Sequence, residues 1–453
     1  MSTRASVYFL AVVAATAAAS GQCAVPVQEG TPQPQMTALR YDSDYPVIGY
    51  SGPATQNPVA RLQARMTAGK VKLDFRAPRG YLDSVLKNLG IDPSSQTLVY
   101  SATSLANRWI NAATPRAIYF NDDTYVAWVQ GSNVLEFVTM DRALGPVFYA
   151  LSNYSDSGDT FSREILRCLV CHDKFSLKGG GVPLILATSS YVDTAGEQLK
   201  SAPLLEVTDQ TPIAQRWGGW YVTGQQGRQA HLGNLLIHTT GDLHNIDRMR
   251  RGNLQSLARL FDTGPYLTDK SDIVALLVLE HQLTVYNLIT RVNFKARTLV
   301  ARQSIPVGTG PWAGLPPKTQ SEVRELVEPL VHAMLFTDAA PLTDKVASGS
   351  GFDTWFQARG PRDKAGRSLR DLDLKTRLFR YPLSYLVYSP AFDGLPDYAR
   401  SYIYGRFADI LAGKDPKGAY TNLSADDRAA ILAILTDTKP EFAKGLTSRQ
   451  FAQ

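Results

Sequence analysis

The chain has 453 residues, of which 44% are hydrophobic and 19% are charged. These proportions indicate a globular protein with a substantial core and exclude an intrinsically disordered chain. The net charge of +6 comes from lysines and arginines scattered without a basic block, so we expect no nucleic-acid partner. A mild positive charge would favour an acidic redox partner or an anionic surface.

The N-terminus has the pattern of a secretory signal peptide. A basic start at Arg4 precedes an alanine-rich apolar run from Ala5 to Ala19, and cleavage after Ala19 or Gly21 fits the small-x-small rule. We therefore expect residues 1–21 to be removed and the protein to be periplasmic or otherwise exported, with no stable membrane span after cleavage. An uncleaved anchor is the alternative, although the run is short for spanning a bilayer. Cys23 follows at once and is expected to be incidental.

Residues 22–95 predict an extended leader with two short amphipathic helices, at 60–68 and 82–89. Residues 96–155 contain short runs rich in β-branched and aromatic residues, separated by turn sequences at 121–123 and 131–133. This alternation predicts an antiparallel β-meander of four or five strands. Asp122 and Asp123 would suit a hairpin turn, with a calcium site as the less common use.

The stretch that most constrains function is Cys168-Leu169-Val170-Cys171-His172, the C-x-x-C-H pattern of c-type haem attachment. The two thiols add across the vinyl groups of the porphyrin, and the histidine binds the iron. We expect Cys168 and Cys171 to hold one covalent haem c and His172 to be the proximal ligand, on a helix starting near Ser162. A redox-active cysteine pair or a zinc site are the alternatives. Zinc would need a further ligand.

Two tryptophans, Trp217 and Trp220, lie three residues apart beside a tyrosine. Large aromatic side chains form the walls of haem pockets, because they cover the flat ring and exclude water. We therefore expect both tryptophans to contact the haem. Ordinary core packing is the alternative.

The chain resembles a family of large exported bacterial cytochrome c domain proteins that carry a single C-x-x-C-H and have no established activity. The resemblance runs from about Tyr41 to Thr438. It rests on the motifs SQTLVYS, TPRAIYFNDD, YVAWVQG, C-x-x-C-H, RWGGWYVTG, HLGN, LEHQ, RSLRDLDLKTRLFRYP and YSPAF. Members often carry histidine where this chain has Gln210 and Gln226, and glutamine cannot replace imidazole as a strong iron ligand.

The sixth iron ligand is open at this point. His231 is one candidate metal ligand, and His281 is another, in a long apolar helix that begins near Ser271. Met249 or an open site are the other possibilities, and either histidine could instead be a satisfied core residue. In an enzyme with an open site, Arg228, His231 or His281 would assist by general acid–base catalysis.

Beyond a stretch rich in proline and glycine at 306–317, residues 319–453 predict helices, the clearest one capped by Ser424. We therefore expect an α+β, mainly helical fold. It would combine the early antiparallel β-meander, a helical cytochrome c-like haem region at 156–300 and a helical C-terminal layer.

The expected function is that of an exported c-type cytochrome with one covalent haem, acting in electron transfer or as a haem-dependent oxidoreductase. A redox partner protein is expected, together with a small-molecule substrate or gas ligand if the haem site is open. The alternative is a haem-based protein that binds or senses a small ligand without turnover. The sequence leaves open whether the protein is an enzyme.

Overall fold

A computed structural model describes residues 43, 45–52, 55–155, 160–173, 181–200, 202–237, 247–249, 251–307, 310–414 and 418–448. The predicted signal peptide, Cys23, His238 and His244 lie outside these residues.

The leader contains the two helices that the sequence predicts, α1 (Pro58–Thr67) and α2 (Leu82–Leu89). The side chain of Asn57 caps α1 by accepting a hydrogen bond from the Ala60 backbone N–H. Gly90 ends α2 in the left-handed conformation, at φ 66°, which glycine adopts without steric cost.

An antiparallel sheet of seven strands follows, in the order β6-β5-β4-β3-β2-β1-β9, and a separate pair is formed by β7 and β8. The predicted meander of four or five strands is confirmed as the five strands β1 to β5, with hairpin turns at 121–123 and 131–133. The strands are β1 (Thr97–Val99), β2 (Arg116–Phe120), β3 (Thr124–Trp128), β4 (Val134–Asp141), β5 (Gly145–Ser152), β6 (Ser162–Arg163), β7 (Thr188–Ser189), β8 (Leu205–Glu206) and β9 (Trp220–Tyr221).

The sheet separates two hydrophobic cores, because successive side chains of a strand point to opposite faces. Leu135 and Phe137 pack with α1 and α2, and we call this layer the leader-side core. Phe120, Tyr125 and Met140 pack on the other face against the later helices, and we call that layer the helix-side core.

The segment that carries the cysteine motif is less regular than expected. Ser162 and Arg163 pair with β5 in β6, so the motif helix, α3 (Leu166–His172), begins four residues later than predicted. The edge of β5 offers unpaired backbone groups that this strand satisfies. Among the described residues between α3 and Asp272, short strands and turns occur but no α-helix.

The long helix α4 (Ile273–Arg302) lies at the centre of the helix-side core. Asp272 caps it by accepting from the backbone N–H groups of Val274 and Ala275. Within the described part of the chain, α4 alone is long and apolar enough to cross a membrane, but 83% of its apolar window is buried inside the protein. A core helix meets the same criterion.

The remaining helices form the predicted C-terminal layer on the helix-side core, which confirms the mainly helical α+β fold. Ser424 and Asp427 form a reciprocal capping box. Helix α9 ends just before Pro440, which begins a further helix at a position where the missing N–H of proline costs nothing. These helices are α5 (Pro317–Met334), α6 (Phe352–Gln357), α7 (Pro390–Asp393), α8 (Asp397–Leu411), α9 (Ala425–Thr438) and α10 (Pro440–Ser448).

Candidate functional site

Helix α3 carries both motif cysteines and the histidine within one seven-residue element. Leu169 is buried in the leader-side core, whereas Val170 is 59% exposed. Cys168 is half-buried against the same core. Leu169 therefore anchors the helix, while the opposite side of the motif lies at the protein surface.

The ring of His172 is held by the backbone of Leu184. Its Nδ1 lies 2.9 Å from the Leu184 carbonyl oxygen, and the Leu184 N–H donates to the His172 carbonyl, also at 2.9 Å. A carbonyl only accepts, so Nδ1 carries the proton and Nε2 has a free lone pair. Burial lowers the pKa of His172 to about 4, which keeps the ring neutral at pH 7. A neutral imidazole fixed through Nδ1 is the usual form of a metal-binding histidine.

The two motif cysteines are not bonded to each other. Cys168 is a free thiol. Burial and the negative charges of Glu164 and Glu136 raise the pKa of Cys168 to about 12. A redox-active cysteine needs a lowered pKa, so this environment disfavours the redox-pair alternative.

The zinc alternative lacks a ligand set in the described residues, which contain no group of three or more histidine, cysteine, aspartate or glutamate side chains placed to hold a metal. Asp173, the nearest carboxylate in sequence, is buried and accepts a hydrogen bond from the Ser43 hydroxyl at 2.8 Å.

The predicted calcium alternative at Asp122 fails as well, because its carboxylate pairs with Arg370 at 2.6 Å and Arg359 at 3.4 Å.

The side chain of Asn287 on α4 hydrogen-bonds the backbone segment whose Leu184 carbonyl accepts from His172. Its side-chain oxygen accepts from the Ile185 N–H at 2.8 Å, and its amide donates to the Ile185 carbonyl at 2.7 Å. Ile185 follows Leu184 directly, so this clamp fixes the carbonyl that orients the His172 ring. Sequence reasoning missed Leu184 and Asn287, because the first acts through its backbone and the second lies 102 positions from its partner.

The two tryptophans lie in the helix-side core, on a different layer from the motif. Trp217 packs its ring at 5.3 Å from that of His231, nearly perpendicular to it. Trp220 donates its indole N–H to the Thr188 carbonyl at 2.8 Å. Trp217 has φ 68°, a conformation that is rare for bulky residues. The structure therefore places both residues as buried core side chains, and their predicted contact with a haem stays a prediction.

His231 is buried with both ring nitrogens engaged. Nε2 lies 2.5 Å from Oε1 of Gln226, and Nδ1 accepts from the Gly233 N–H at 2.9 Å. Burial lowers the pKa of His231 to about 4, so the ring is neutral. In this arrangement neither nitrogen is free for iron, and ligation would require these two hydrogen bonds to break. The glutamine at position 226 thus serves as the histidine's partner.

His281 is fully buried and likewise has two partners. Nδ1 donates to the Asp209 carboxylate at 2.8 Å, and Nε2 lies 2.8 Å from the Ser384 hydroxyl. The order Asp–His–Ser is that of a hydrolase triad, but Ser384 has no exposed surface and cannot reach a substrate. The arrangement is a satisfied core histidine, the alternative that the sequence left open.

The neighbours of His281 are paired too. Glu280 forms a buried ion pair with Arg216 at 2.8 Å. Gln282 accepts from the Tyr125 hydroxyl at 2.9 Å and donates to the Tyr385 hydroxyl at 2.6 Å. Each polar side chain of this triplet thus finds a partner, as burial in an apolar helix requires.

The other two candidates lie at the surface. The side chain of Arg228 is 96% exposed and pairs with Asp344 at 3.5 Å. Met249 is 41% exposed. The structure thus does not bring Arg228, His231 and His281 together into one acid–base site.

Comparisons with protein families, with characterised proteins and with solved structures found no match. Function is therefore inferred from the C-x-x-C-H motif and its geometry.

Proposed function

We propose that the protein is an exported c-type cytochrome that carries one covalent haem and acts in electron transfer or as a haem-dependent oxidoreductase. The observation that carries the proposal is the geometry of His172 within C-x-x-C-H. Its Nδ1 is committed to the Leu184 carbonyl at 2.9 Å, and its Nε2 is left available in a neutral ring.

The residues fit this group in three respects. Cys168 and Cys171 have the attachment spacing, and the motif lies on a surface helix whose Val170 is exposed. His172 has the protonation state that an iron ligand needs. Haem c supplies a one-electron couple when bound. The chain's own contribution is to fix the imidazole through Leu184, and the neutral ring then presents its lone pair without first losing a proton.

The number of ligands on the iron distinguishes electron transfer from catalysis or small-ligand binding. Both predicted distal histidines, His231 and His281, have their ring nitrogens committed to other residues. This favours an open sixth position over ligation by either of them, and an open position favours catalysis or small-ligand binding over simple electron transfer. The haem-based sensor therefore remains the second candidate.

The test is an absorption spectrum of the exported, purified protein, oxidised and reduced, with and without carbon monoxide. We expect a c-type α band in the reduced protein and haem that acid acetone does not extract. The variant Cys168→Ser/Cys171→Ser should lose the covalent haem, and the matched control Val170→Ala, at the exposed position within the same motif, should keep it. Extractable haem, or no haem in a folded protein, would overturn the proposal. A shift of the spectrum with carbon monoxide indicates an open site, whereas an unchanged spectrum indicates a filled one.

A further inference from the structure

A cavity of about 720 Å³ lies between α4, α5 and the irregular segments around β7 and β8. This volume is within the range of pockets that bind small molecules, about 300–1,000 Å³. Cys168, Cys171 and His172 are not among the described residues that line it. The described cavity therefore adjoins the predicted haem attachment site through Leu184, whose carbonyl bonds His172, without including the three motif side chains.

The inner wall of the cavity is apolar. The side chains there come from α4, from the end of α5 and from the segments around β7 and β8, which are far apart in sequence. They are Ile185, Val207, Leu283, Leu288, Ala333 and Phe336. Phe336 is itself stacked on His281, with ring centroids 4.5 Å apart. A wall of this kind binds a hydrocarbon or aromatic body through its buried apolar area.

The charged residues around the cavity are mostly acidic. The negative charge of Glu328 is offset by Arg406, 2.7 Å away. Among the described lining residues, this leaves three further carboxylates, Glu206, Asp209 and Glu325, against the guanidinium of Arg291 and the imidazole of His332.

The positions of these acids matter as well. Asp209 is held by His281 at 2.8 Å, which fixes its carboxyl group at the cavity wall. Glu325 is exposed on α5, so its carboxylate lies at the rim. A half-enclosed site with excess negative charge attracts cations more strongly than an open surface does.

We propose that this cavity binds an organic cation with an apolar or aromatic body, such as an aryl-alkyl amine. The apolar wall would take the body of the ligand, and Asp209 and Glu325 would attract its ammonium group. The proposal does not depend on the haem, because the cavity is lined by none of the haem-attaching residues.

The test compares two probes of similar size and opposite charge, 1-naphthylmethylamine and 1-naphthylacetate, titrated into the full exported protein and followed by calorimetry at pH 7. We expect the amine to bind at least about tenfold more tightly than the carboxylate, with an affinity that falls as salt rises. Equal binding of the two probes, tighter binding of the carboxylate, or no binding of the amine would each overturn the proposal.

Variants locate the site. Ala333→Trp would fill the cavity and should abolish amine binding. Glu325→Arg, at the exposed rim, should weaken amine binding about tenfold while leaving the fold intact. Glu322→Gln lies on the same helix but outside the cavity and is the matched control, with unchanged binding expected. Amine binding that survives Glu325→Arg and Ala333→Trp in folded protein would refute the assignment. Because binding is measured directly, failure here leaves the haem proposal untouched, and a protein without haem still tests the cavity.

Discussion

The buried pair between Glu280 and Arg216 makes a quantitative prediction about stability. The two side chains are 4% and 5% exposed and lie 2.8 Å apart. Burial raises the pKa of Glu280 to about 7, because the attraction of Arg216 offsets only part of the cost of removing the carboxylate from water. Replacing Glu280 with glutamine keeps the size and shape of the side chain and removes its titration.

The sign of the effect follows from the direction of the pKa change. The usual value for glutamate is 4.5, so the folded state binds this proton more tightly than the unfolded state does. The resulting stabilisation is fully present below pH 4.5 and is lost as the pH rises through about 7. A rise from 4.5 to about 7 corresponds to about 3 kcal/mol, at 1.36 kcal/mol per pKa unit. The free energy of unfolding of Glu280→Gln should not show this decrease.

The assay is urea unfolding of wild type and Glu280→Gln at a series of pH values from 4 to 8. The quantity of interest is the difference between their free energies of unfolding. His172 and His231, whose pKa values are lowered to about 4, give the opposite slope in both proteins and cancel in that difference. The unpaired Arg216 of the variant adds an offset that does not vary with pH in this range. A difference that stays flat between pH 4.5 and 7, or changes in the opposite direction, would refute the reasoning. The surface variant Glu325→Gln should follow the wild-type curve.

Three further substitutions test the framework. Asn287→Ala removes two hydrogen bonds to Ile185 and should lower the free energy of unfolding by about 2–4 kcal/mol; an unchanged urea midpoint would contradict the clamp. Asp272→Ala removes the cap of α4 and the anchor of the loop at 348–350, and should cost about 2–3 kcal/mol in thermal unfolding. Asp272→Asn should recover only part of this loss, because its one side-chain oxygen can keep the cap of α4 but its NH2 group cannot accept from the N–H groups of Gly349 and Ser350. Ser424→Ala should cost about 1 kcal/mol, and Ser424→Thr, which keeps the hydroxyl, should cost less; equal losses in the two variants would exclude the capping box as the cause.

The sequence predicts well those features that depend on neighbouring residues. Asp272 and Ser424 cap their helices because a short polar side chain reaches backbone N–H groups two or three positions ahead. The meander follows from alternating apolar residues and the turn at 121–123, which fix the register of each hairpin locally. In both cases the information needed lies within a few residues.

Features that depend on distant partners were missed or misplaced. Ser162 reads as the start of a helix but pairs with Ala150 across the edge of the sheet, and a short segment follows such a tertiary partner over its own propensity. From the sequence alone, His281 could be either a core residue or an iron ligand. Only the fold brings Asp209 and Ser384, which lie 72 and 103 positions away, to its two ring nitrogens. No local pattern encodes such meetings.

The segment from Leu184 to Thr188 explains how a short surface helix can fix an imidazole in one orientation. Within these five residues, the Leu184 carbonyl accepts from His172, Ile185 is clamped by Asn287 of α4, and the Thr188 carbonyl accepts from Trp220. A seven-residue helix such as α3 is marginal alone. The orientation of His172 is therefore set through the segment from Leu184 to Thr188, which the side chains of Asn287 on the thirty-residue helix α4 and of Trp220 on β9 hold by hydrogen bonds to its backbone.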